Sequence, residues 1–198
     1  MTVRDFAERV LFGTSLEEKL GPPPAGITDQ NRGNALIAPE VPSRPRGLEL
    51  RQDGTRADFP GMSGIEDDHQ RGRLLHFFAN HELLATELMA LMLLKFPDAP
   101  TEFRDGILST LKEEQMHTKM YLGRMAQCGV EFGELPVNGF FWKMVSSVKT
   151  PLDYVTRLSL TFEQANLDYA RGYAAIFGEA GDKKTAALLQ RIYEDEIG

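Results

Sequence analysis

Glu114-Gln115-Met116-His117 sets an acid three residues ahead of a histidine, and on an α-helix that spacing leaves the two side chains roughly 60° apart on one face, where both can reach one metal ion. Acids fill 29 of the 198 positions and there are four histidines, so one such pair arises readily by chance. A second, Glu66-x-x-His69, lies in the acidic run Glu66-Asp67-Asp68 at an expected helix start, where capping and compensation of the helix dipole explain the acids. What separates the first pair from chance is an approximate internal repeat. Glu82 is followed five residues on by Glu87, and Glu163 five residues on by Asp168. Glu114 comes 32 residues after Glu82, and Glu196 comes 33 after Glu163. Antiparallel helices of that length joined by short turns bring each second acid back to the level of the first. The surroundings repeat as well, Glu113-Glu114-Gln115-Met116-His117 against Asp195-Glu196-Ile197-Gly198. Carboxylate oxygens gathered in this way would bridge and neutralise two divalent cations, while imidazole adds a terminal nitrogen.

The elements that must position these residues are legible from punctuation. Two short amphipathic pieces, Val3 to Phe12 and Leu16 to Leu20, open the chain, the second with Ser15 as N-cap and Glu18 three residues on. From Gly21 to Gly64 prolines and glycines break any helix, and the apolar residues Leu36, Ile37, Val41 and Leu48 are expected to pin this stretch over a bundle as an extended strap. Four helices follow: Glu66 to Phe96 before Pro97, Glu102 to Cys128 before Gly129, Pro151 to Phe177 before Gly178, and one that begins near Asp182. A short aromatic helix, Phe140 to Val148, interrupts the crossover between the second and third. The last helix carries no stop signal other than Gly198, so the sequence is expected to be truncated, with a histidine opening its continuation. The expected division is an arm and strap over residues 1–64 and a bundle over 65–198.

The strings His76-Phe77-Phe78-Ala79-Asn80-His81-Glu82-Leu83 and Glu87-Leu88-Met89, the latter running on to Phe96-Pro97-Asp98-Ala99-Pro100, resemble an uncharacterised bacterial ferritin-like family (domain of unknown function 455), within the ferritin-like di-iron and di-manganese carboxylate proteins. The resemblance covers roughly Arg71 to Gly198. It implies an all-α, ferritin-like four-helix bundle with a crossover, in which two helices give one Glu each and two give Glu-x-x-His. Carried over position by position, it makes Glu82, Glu114, His117, Glu163 and Glu196 the metal ligands and two iron ions, or manganese, the cofactor. Glu87 and Asp168 lie about 140° around their helices from Glu82 and Glu163, and are expected to act behind the ligands or as helix-to-helix partners. His81, Tyr121, Tyr169 and Tyr193 are expected to pack in the core or orient ligands. The methionines and Cys128 read as core filler.

Composition narrows the partners. A net charge of −7 argues against a broad grip on nucleic acid or anionic lipid, and one cysteine cannot make an internal disulfide. The N-terminus lacks the order of a secretory signal, so a cytoplasmic protein is expected. The apolar stretch Leu83 to Phe96 is short for a bilayer span and holds Glu87 and Lys95. No phosphate loop, nucleophile elbow or paired-Cys motif is present. Three functions fit: an oxidoreductase working on oxygen or peroxide and a small or RNA-borne substrate, an iron-handling or storage protein, and a metal-free scaffold for protein interaction. A homodimer fits each.

Overall fold

A computed structural model describes the backbone of residues 1–50, 59–158 and 164–197, and the side chains of these except 164–170. The described chain is all-helical: α1 Val3–Phe12, α2 Leu16–Leu20, α3 Asp68–Lys95, α4 Thr101–Gln127, α5 Phe140–Val145, α6 Pro151–Leu158, α7 Gln164–Glu179 and α8 Lys183–Glu196. Local chemistry sets most of the ends. Capping boxes close α1 through Thr2 and Asp5 and α2 through Ser15 and Glu18. Asp67 caps α3 and Asp182 caps α8 by accepting from backbone N–H groups, and Gly129 takes the left-handed turn after α4 at φ +74°. The third helix expected from sequence is described as two elements, α6 and α7, on either side of residues 159–163. Pro100 precedes α4 without a side-chain cap, and Thr101 is its first residue.

α3 is buried around nearly its whole circumference. In its C-terminal half Leu84, Leu88, Leu91 and neighbouring residues share a core with Phe6, Val10 and Leu11 of α1, Phe141 and Trp142 of α5, and Tyr154 of α6. In its N-terminal half Leu74, Leu75 and Ala79 share a core with Tyr121 and Met125 of α4, Phe177 of α7, and Leu189 and Ile192 of α8. By length and composition α3 could cross a bilayer, but 83% of its apolar window is buried inside the protein. Gly72 lets α3 approach the end of α4 closely, since a Cβ there would collide with Val130.

The Pro-rich segment reaches the helices through both apolar and polar contacts. Leu48 is buried in the core and Leu36 and Val41 pack against it, as expected, whereas Ile37 is 90% exposed and anchors nothing. Leu36 N–H donates to Leu94 O at 2.9 Å, Trp142 Nε1 donates to Glu40 O at 2.9 Å, and Arg104 of α4 forks onto Asp29 at 2.6 and 2.7 Å. The strongest tie is at Glu87, which is fully buried between Lys19 Nζ at 2.8 Å and Arg44 at 2.7 Å. Arg44 also donates to Asn80 Oδ1 at 2.8 Å. Desolvation lowers the pKa of Lys19 and Glu87 opposes that fall, so the ammonium depends on its carboxylate partner.

Removing one member of a buried ion group leaves the others unpaired, which costs about 3–5 kcal/mol. Glu87→Ala is therefore expected to lower stability in urea unfolding by that amount, and a loss below roughly 1 kcal/mol would contradict the assignment of Glu87 as the anchor.

Candidate metal centre

Glu82 projects from the middle of α3, Glu114 and His117 from one face of α4, and Glu196 from the last turn of α8. Glu82 is 7% exposed, Glu114 6% and His117 1%, and Glu196 is half-buried. One ligating atom from each lies within 4.8 Å of all the others, so the group could hold a metal ion. His117 Nδ1 faces into the group, 3.3 Å from Glu196 Oε1 and 3.9 Å from Glu114 Oε2. Its Nε2 faces outward to Asp195 Oδ2 at 3.4 Å. Thr118, next along α4, donates its hydroxyl to Glu114 O and keeps its own polarity off the site.

The electrostatics test whether a cation fits. Three carboxylates within 4.8 Å of one another repel by roughly 3 kcal/mol per pair at the effective dielectric of a protein site. Among the described residues neither Glu82 nor Glu196 pairs with Lys or Arg, in contrast to Glu87 with its two cations. One imidazolium cannot balance three carboxylates. Burial alone would lower the pKa of His117, but Glu196, Glu82 and Asp195 outweigh it and hold the ring above its ordinary value. Desolvation, with the negative field of Glu82, Glu114 and Glu196 added, pushes Tyr121 well above the usual phenol range, so its hydroxyl keeps its proton beside the site. His117 Nδ1 is buried and makes no aligned hydrogen bond among the described residues. Hard oxygens, one nitrogen aimed inward and surplus negative charge form a donor set that suits a divalent transition metal.

The sequence-derived residues divide as follows. Glu82, Glu114, His117 and Glu196 come together; Glu163 lies outside the described residues, as do the side chains of Asp168 and Tyr169. Glu87 points away, into the contact with the N-terminal segment. His81 stacks on Phe141 at 4.8 Å, and burial lowers its pKa against the pull of Glu82 and Glu196. Cys128 and Met89, Met92 and Met125 are core, while Met116 is 41% exposed. His69 is exposed, 3.7 Å from Glu134 and away from the cluster. Asp195 joins the group beyond the sequence-derived residues. The signal was its place before Glu196, matching Glu113 before Glu114, but Glu113 is exposed whereas Asp195 turns toward His117.

Residues 6–198 match the family model described as "Protein of unknown function (DUF455)". No curated protein and no solved structure matches the chain.

A raised folded pKa means that His117 adds stability to the metal-free protein, fully below the ordinary value of 6.5 and lost as pH rises through the raised one. The stability difference between the wild type and His117→Gln, from urea unfolding in chelator, is expected to be largest below pH 6.5 and to shrink above it. A difference that grows with pH would contradict this charge assignment.

Proposed function

We propose that this chain, which belongs to the family described as protein of unknown function DUF455, is a ferritin-like metalloprotein that holds two iron ions, or manganese, and acts as an oxidoreductase on oxygen or peroxide. The observation that carries the reading is the convergence of Glu82, Glu114, His117 and Glu196, from three helices, to within 4.8 Å. Glu163 is the remaining carboxylate of the plan. The core shared by α3, α4, α7 and α8 supports a four-helix bundle, and the contacts of Asp29, Leu36, Glu40 and Arg44 support a strap laid over it. A site in which Glu82, Glu114 and His117 are buried favours an enzyme acting on a small molecule over a storage cage.

Iron or manganese bound here would supply one-electron redox chemistry at open coordination positions. The protein's own residues prepare the place. Glu82, Glu114 and Glu196 concentrate negative charge that a bound cation would relieve. With an ion bound, Asp195, 3.4 Å from His117 Nε2, would accept from Nε2–H and so leave the Nδ1 lone pair for the ion. Tyr121 stands by as a neutral, buried donor, and the leucines of α3 keep bulk water away.

Glu82→Gln removes one of the repelling charges and one ligand together. The metal-free variant is expected to be more stable than the wild type by about 1 kcal/mol, and its iron or manganese content after purification to fall below about a tenth of the wild-type level. Wild-type protein given reductant is expected to consume oxygen or peroxide, and the variant to lose that turnover. Equal metal content in the two proteins, or none in the wild type, would overturn the reading.

A further inference from the structure

Behind the cluster, on the sides of α3 and α4 that face away from it, the N-terminal segment makes directional contacts beside the proposed ligands. Asn80 and Glu87 are seven residues apart, so they share one face of α3 two turns apart, while Glu82 between them points to the other side. Arg44 spans that face, donating to Asn80 Oδ1 at 2.8 Å and to Glu87 Oε2 at 2.7 Å. Lys19 reaches the same Glu87 at 2.8 Å. Its backbone carbonyl accepts from Gln115 Nε2 at 2.6 Å, and Gln115 is the residue next to Glu114 and two before His117. Lys19, Arg44 and Gln115 are all buried.

We infer that Lys19, Arg44 and Gln115 form a clamp that fixes α3 against α4 and so sets the separation of Glu82 from Glu114 and His117; this rests on the metal-site reading above. Leucine contacts between two long helices are non-directional and tolerate small slides and rotations. Metal ligands do not, since they must sit within a few tenths of an ångström of their places. A hydrogen-bonded fork has the missing directionality. Stability alone does not explain the choice, because apolar residues of similar volume commonly serve as well as a buried ion group. Lys19 links both helices at once, through its side chain to α3 and its carbonyl to α4. The three are positioning residues, and none belongs to the ligand set.

The test uses the full chain titrated with Co2+, followed by visible absorption, with urea unfolding of the metal-free protein in parallel. Gln115→Met removes the tie to α4, and Arg44→Lys keeps the charge but loses the fork across Asn80 and Glu87. Each is expected to weaken Co2+ binding by about tenfold or more and to change the absorption band, which a purely structural role would leave alone. Asp29→Asn breaks a different contact of the same segment, at Arg104, ten residues from Glu114. It is expected to lower stability while keeping wild-type affinity and spectrum. Wild-type affinity and spectrum in both clamp variants would overturn the clamp, as would an equal loss in Asp29→Asn. A wild type that takes up no Co2+ would overturn the metal reading itself.

Discussion

One helix buries two glutamates on different sides, and each carboxylate needs positive charge that α3 does not supply. Around Glu87 the protein answers from its own sequence, with Lys19 and Arg44 brought in from the N-terminal segment. Around Glu82, among the described residues, it brings more acids, Glu114 and Glu196, and the imidazole of His117. Desolvated charge of one sign is among the costliest things a fold can keep. The N-terminal segment satisfies the first site, and a bound cation is the simplest way to satisfy the second.

The two sites are connected by the rigidity of α3. The helix is packed along both halves of its length, so a contact that fixes Glu87 also fixes the turn carrying Glu82. Residues 1–50 therefore complete the enclosure of the helix that carries the site. The polar ties at Asp29, Glu40 and Arg44 give the segment a single seat, where scattered apolar residues would have allowed several.

What could be read from sequence was local. The Ser15–Glu18 box, Gly129 and Pro97 mark helix ends through chemistry within a few residues, and the structure has those ends within one or two positions. The convergence of Glu82, Glu114, His117 and Glu196 was also legible, because helix length and repeat spacing turn sequence distance into height along a bundle. The role of Glu87 was not. Its partners lie 43 and 68 residues away, and no periodicity links them to it. Apolar composition suggested that Leu36, Ile37, Val41 and Leu48 pin the strap; Leu36, Val41 and Leu48 do pack on the core, while Ile37 faces solvent and buried Arg44 adds a contact that no apolar pattern signals. Asp195 was hidden because whether an acid next to a ligand faces in or out depends on the rotation of α8, which only packing fixes.

The most direct test of the central claim is anomalous diffraction at the iron absorption edge from crystals of the full chain grown with iron. The account predicts an anomalous peak in contact with Glu82, Glu114, Glu196 and His117 Nδ1, with Asp195 on Nε2. A cluster that stays free of metal in iron-loaded crystals, its carboxylates turned instead to lysine or arginine, would contradict it.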